Sequence, residues 1–120
     1  MHSDILLDHF QNPRNVGELD PPAHRVDVTN PACGDMMRLS ARFENGKVAE
    51  VRYKTRGCTA SIAAGSALTE LMLGRTTAGL GQLRGADVEQ ALGGLAAESK
   101  HAAALCIDAV RALVRVVASR

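Results

Sequence analysis

Cys33, Asp35, Cys58 and His101 are the residues through which this chain could do chemistry. Thiolate, carboxylate and imidazole are the side chains that bind a borderline-soft metal such as zinc or iron. Cys33 and Asp35 belong to the island Pro31-Ala32-Cys33-Gly34-Asp35. There the proline restricts the approach and the glycine permits an unusual backbone angle, so a thiol can be held exposed at a set angle. Asp35, two residues on, can reach the same centre. Cys58 follows Gly57 and opens a helical pattern. A helix N-terminus favours the thiolate, which is the form that binds metal and attacks sulfur. Lys54, Arg56 and Lys100 could add positive charge near it. His101 lies just behind Ser99, which is placed to be the N-cap of the last helix.

Each of these residues has a plainer reading when taken alone. A free cysteine is often a small buried hydrophobe, an aspartate after glycine is often a turn residue, and a single histidine is commonly surface or satisfied core. The set is more specific than its members: two thiols, a carboxylate and an imidazole could supply the four ligands of a tetrahedral centre. Cys106 stands apart. It falls on the apolar stripe of the last helix with Leu105, Ala109 and Leu113, turned about 140° from His101, so the two cannot readily face one small ion. Cys106 therefore reads first as a core thiol and second, with Lys100, as an accessory of the site.

The elements that must position these residues are legible in outline. Ile5, Leu6, Leu7 and Phe10 behind Ser3 predict a short amphipathic helix with His9 exposed. Asn12-Pro13 ends it, and the stretch from Asn15 to Pro22 reads as loop. Arg25 to Thr29 alternates as a short strand. Met37, Leu39, Ala41 and Phe43 alternate with polar residues as a half-buried strand. Asn45-Gly46 is a strong hairpin signal, since a type I′ turn needs positive φ at both positions. Ala49, Val51 and Tyr53 form the return strand. Arg38, Arg42, Arg52 and Lys54 alternate on these strands as a solvated face, with a protein docking surface as the alternative reading.

Residues 59–73, rich in Ala and Leu, predict a helix ending at Gly74, and residues 76–95 predict short helices. Residues 99–119 predict the longest helix. The glycines at 79, 81 and 85 have neither the preceding strand nor the spacing of a phosphate loop. The order predicts an α+β fold: a three-stranded antiparallel sheet with helices packed on one face.

With 120 residues, the chain is expected to form one domain, 1–120. It is 46% hydrophobic but only 2% aromatic and lacks tryptophan, so the core must be built mainly from Ala, Leu, Val and Ile. Net charge is +1, with no excess that points to nucleic acid or membrane. No apolar run approaches the ~20 residues of a membrane span. Met1-His2-Ser3-Asp4 lacks the basic start of a signal peptide, and three cysteines is an odd count for a disulfide framework. These features predict a cytoplasmic protein.

The islands, in their order, resemble the IscU/NifU N-terminal family of iron–sulfur cluster assembly scaffolds. The resemblance runs through Asp8-His9-Phe10-Gln11-Asn12-Pro13-Arg14-Asn15-Val16-Gly17 and Pro31-Ala32-Cys33-Gly34-Asp35. It continues through Lys54-Thr55-Arg56-Gly57-Cys58, Glu70-Leu71-Met72-Leu73-Gly74 and Lys100-His101, and so covers essentially the whole chain. Cys33 and Cys58 are 25 positions apart, and Cys58 and His101 are 43 apart. The absence of a long insertion between the second and third islands favours the IscU-like branch over the SufU branch.

The resemblance implies a scaffold, not an enzyme, that receives sulfur from a cysteine desulfurase, binds iron, assembles a [2Fe–2S] cluster and passes it to acceptor apo-proteins. A homodimer is left open. Zinc can occupy the same site in many members. Cys33 and Cys58 match the first two ligand thiols, Asp35 the family aspartate and His101 its histidine. The third family thiol follows that histidine, where this chain has Ala102, so its role does not transfer. The proline-rich chaperone-recognition segment is replaced by Ala97-Glu98-Ser99. Two rival readings follow from the gap at Ala102. One is a zinc-bound sulfur acceptor that stimulates a desulfurase, and the other is a non-catalytic zinc-binding relic of the fold.

Overall fold

Ser3 begins the first helix, α1 (Asp4–Gln11), by accepting the Leu6 N–H at 3.0 Å. The computed structural model describes residues 2–31 and 34–119. One expectation fails in α1. Leu6 and His9 face inward, while Ile5, Leu7 and Phe10 stay partly exposed on the flanks. His9 is buried because a polar partner waits inside. Its Nδ1 lies 2.7 Å from Ser66 Oγ, and that oxygen also accepts the Arg14 N–H at 2.9 Å. The other ring nitrogen, Nε2, faces Glu70 at 3.6 Å. The histidine thus pins α1 to the helix that carries Ser66.

Three antiparallel strands follow in the order β1 (His24–Thr29), β2 (Met36–Glu44), β3 (Lys47–Arg56). Val26, Leu39 and Tyr53 stand side by side across the sheet, as do Ala41 and Val51, and all point into the core. Asn45 (φ 55°) and Gly46 (φ 78°) make the tight turn between β2 and β3, both in the left-handed region. The segment read as loop after Asn15 does more than connect. Tyr53 N–H bonds Asn15 O and Gly17 N–H bonds Tyr53 O, each at 2.9 Å, so this segment covers the β3 edge. The basic outer face is largely neutralised. Glu18 reaches Arg25, Arg38 and Lys54, while Asp27 pairs with Arg38 and Glu50 with Arg42.

The other face carries the helices α2 (Thr59–Met72), α3 (Thr77–Gly81), α4 (Gly85–Ala91) and α5 (Lys100–Ala118), the last preceded by a 3₁₀ turn at Ala97–Ser99. In α2 the inward positions are small (Ala60, Ala63, Ala64, Gly65 and Ala67), which lets the helix axis approach β3 closely. α5 lays Leu105, Cys106, Ala109, Val110 and Leu113 against the sheet and α2. Ser99 occupies the N-cap position of α5 but makes no side-chain cap bond. Its ψ of 3° continues the preceding turn instead of adopting the extended cap conformation. Among the described residues, no helix is long and apolar enough to cross a membrane.

Burial holds the His9 ring below the ordinary histidine value of 6.5, with Arg14 adding to the effect and Glu70 and Asp8 opposing it. The unfolded chain therefore takes up a proton at a pH where the folded one resists it. His9 should contribute fully to stability above 6.5, and that contribution should decline as the pH falls below it. Urea midpoints measured from about pH 7.5 to 5.5 should fall more steeply for the wild type than for His9→Gln. An equally steep decline in the variant would assign the effect to other groups.

Candidate metal centre

The β2–β3 register brings the first two donors together. Met36 pairs with Arg56, so Asp35, one step before β2, meets Gly57, one step after β3. Gly57 makes this approach possible, since a Cβ there would sit 2.6 Å from the Asp35 Cγ. Cys58 is the next residue and occupies the N-cap of α2. His101 arrives from the first turn of α5, which is docked against α2. The donor atoms of Asp35, Cys58 and His101 all lie within 4.8 Å of one another.

His101 Nε2 lies 3.4 Å from Cys58 Sγ and 3.4 Å from Asp35 Oδ2. Ser61 Oγ donates to Asp35 Oδ2 at 2.6 Å and lies 3.5 Å from Cys58 Sγ. The Ser61 hydroxyl holds the Asp35 carboxyl below the ordinary carboxylate range. Burial opposes that shift, while the backbone N–H and thiol of Cys58 and the charge of His101 reinforce it. Asp35 is therefore an anion at neutral pH, ready to donate a lone pair. Its side chain is 13% exposed and that of His101 26%, while Cys58 is exposed, so the cluster is anchored in the protein and open on the thiol side.

The geometry separates two kinds of chemistry. A nucleophilic triad needs the thiol on one ring nitrogen, which takes its proton, and the carboxylate on the other, which orients the ring and stabilises its charged form. Here both face the same nitrogen, Nε2. Convergence on one nitrogen suits a metal ion. With zinc bonds of about 2.0–2.3 Å at a tetrahedral angle, the donor–donor edges should be about 3.4–3.6 Å. The two 3.4 Å separations to His101 fit that range.

Of the sequence-predicted site residues, Asp35, Cys58 and His101 are brought together. Cys33 lies outside the described residues. Cys106 is not brought there: its sulfur is fully buried on the core face of α5, where burial pushes the thiol up. Lys100 directs its ammonium to Glu89, and Lys54 directs its own to Glu18, so neither is left to serve the thiol. Ala102 is also fully buried and offers no donor. Ser61 and Gly57 were not assigned roles from the sequence. For Ser61 a signal existed, because position i+3 from Cys58 lies on the same face of a helix.

The NifU-like N terminal domain family model matches residues 1–119. An iron–sulfur cluster assembly scaffold protein IscU of Azotobacter vinelandii is 39% identical over 118 residues, covering 95% of this chain and 91% of the relative. A scaffold protein of the same name from Archaeoglobus fulgidus is 38% identical over 111 residues, covering 92% of this chain and 72% of the relative. Among solved structures, the N-terminal part of a nitrogen-fixing NifU-like protein from Brucella abortus superposes with a TM-score of 0.79 at 18% identity. That match covers 98% of this chain and 94% of the other, and it shows the shared fold. With the family model spanning almost the full length and the donor cluster in place, the chain belongs to the NifU-like N terminal domain family.

Proposed function

We propose that this chain is an iron–sulfur cluster assembly scaffold whose centre is formed by Cys33, Asp35, Cys58 and His101. The observation that carries the reading is the convergence of Cys58 Sγ and Asp35 Oδ2 on one nitrogen of His101 at coordination-edge distances. The names of its relatives support the same role. Iron and sulfide are the cargo, with a cysteine desulfurase as the sulfur source and acceptor apo-proteins as the destination. Cys58 supplies a sulfur at a helix N-terminus, His101 an imidazole nitrogen and Asp35 a carboxylate oxygen. Oxygen and nitrogen are harder donors than sulfur, so a [2Fe–2S] cluster held by this set should be more labile than one held by thiolates alone. Lability suits a protein that hands its cluster on.

The test is anaerobic reconstitution with ferrous iron and sulfide, followed by iron and sulfide analysis and transfer to an apo-ferredoxin. A visible charge-transfer band, stoichiometric cluster and transfer to the acceptor are expected. Absence of retained iron would remove the scaffold reading.

The second reading raised by the missing thiol at Ala102 has zinc at the centre and the chain accepting sulfur from the desulfurase. That reading requires stoichiometric zinc in protein purified without oxygen, and faster cysteine desulfuration when the chain is added.

A further inference from the structure

Ser61 is fully buried at the third position of α2, where a serine commonly returns its hydroxyl to its own helix backbone. Here the hydroxyl instead donates to Asp35 Oδ2 at 2.6 Å, the oxygen nearest His101, and stands 3.5 Å from Cys58 Sγ. Cys58 forms no side-chain cap bond for α2. The Asp35 carboxylate reaches the helix start from the β1–β2 loop and accepts the Cys58 backbone N–H, the bond that an N3 carboxylate makes in a capping box. Gly57 lacks the Cβ that would come 2.7 Å from Asp35 Oδ2, so the carboxylate lies flat against the β3–α2 junction. One carboxylate is thus clamped between a helix start, a bare glycine and a buried hydroxyl.

We propose that Ser61 is a positioning residue of the centre: it fixes Asp35 in its ligand-presenting orientation before any metal arrives. The inference rests on the metal-centre reading above and deepens it. Ser61 touches no metal in this account and acts through Asp35. A free carboxylate in a loop samples several rotamers, and each binding event must select one. The Ser61 bond removes that selection and leaves lone pairs of Asp35 directed toward His101 and Cys58. Groups that orient a metal ligand in this way commonly change metal affinity by about 10–100-fold when removed.

The experiment is a double-mutant cycle read by zinc competition titration and by the ligand-field absorption of bound cobalt(II). Wild type, Ser61→Ala, Asp35→Ala and the double variant are compared, with Ser61→Thr as the conservative restoration. Ser61→Ala should weaken zinc binding by about 10-fold or more and alter the cobalt spectrum. Ser61→Thr should restore both. In the Asp35→Ala background the Ser61 change should have almost no further effect, since the partner through which it acts is gone. Equal losses in the two backgrounds, or no loss in either, would overturn the proposal. A metal-free measurement keeps it separate from the reading it rests on. The Asp35 carboxyl carbon resonance should move on Ser61→Ala in the apo-protein. If wild type binds neither zinc nor cobalt, the metal-centre reading fails. If the carboxyl resonance does not move, it is the Ser61 inference that fails.

Discussion

Cys58→Ala should lose metal by at least about 100-fold in affinity, whereas Cys106→Ala should leave metal binding unchanged. The first figure follows from what Cys58 is: a direct donor, whose removal should exceed the 10–100-fold typical of groups that only orient a donor. Its sulfur sits at the open side of the cluster, 3.4 Å from His101 Nε2, and is exposed. Cys106 is the reverse case. It is fully buried, and desolvation of the charged form pushes its thiol up, so it is protonated and inert at neutral pH. Removing its sulfur should cost about 1–2 kcal/mol of stability through the small cavity left behind. Zinc titration and urea unfolding of the two variants check both halves. Alkylation adds a third measure, since in native metal-free protein Cys58 should react and Cys106 should resist until the chain unfolds. Loss of metal on Cys106→Ala would mean that the core thiol reaches the centre by a rearrangement, and the site assignment would have to change.

Gly65→Ala should destabilise the fold by about 2 kcal/mol or more, lowering Tm by roughly 8 °C. Helix propensity alone argues the opposite sign, because alanine is favoured over glycine inside a helix by about 1 kcal/mol. Packing wins at this position. A Cβ on Gly65 would stand 2.3 Å from the Tyr53 Cε2 and 2.4 Å from its Cδ2, well inside any tolerable contact. The ring cannot yield easily. Tyr53 is 2% exposed, and burial raises its phenol to about 12. Its hydroxyl donates to Ile62 O at 2.7 Å, and its backbone is held by β2 on one side and Asn15 and Gly17 on the other.

Gly81→Ala is the control, because nothing lies within 4 Å of a Cβ built there. That substitution should be neutral or slightly stabilising. Pairing Gly65→Ala with Tyr53→Leu should recover part of the loss by vacating the ring's space. Thermal unfolding of the four proteins decides the matter, and a stabilised Gly65→Ala would show that α2 can move off β3 at little cost.

The regular elements were legible because their signals are local. Alternation at Met37, Leu39 and Ala41, the Asn45-Gly46 turn and the small-residue run after Cys58 each report a backbone preference that neighbours in sequence impose. The strands nevertheless run further than the alternation suggested. β3 continues to Arg56, since main-chain pairing with Met36 does not depend on side-chain polarity. His9 was misread for a related reason. A histidine beside an aspartate looks solvent-facing until a buried hydroxyl from 57 residues away takes its Nδ1. Ser99 looked like a capping side chain, but the 3₁₀ turn before it removed the backbone conformation that capping needs.

By itself the sequence determined the donor types, the strands and helices that carry them, and the small-residue composition that lets α2 lie close to the sheet. Only the tertiary structure decided which donors meet. The Met36–Arg56 register sets Asp35 over Gly57, the docking of α5 swings His101 to Cys58, and the buried Ser61 hydroxyl ties Asp35 down. The physical reason is that periodicity records which face of an element avoids water, while a site depends on which distant face comes to cover it.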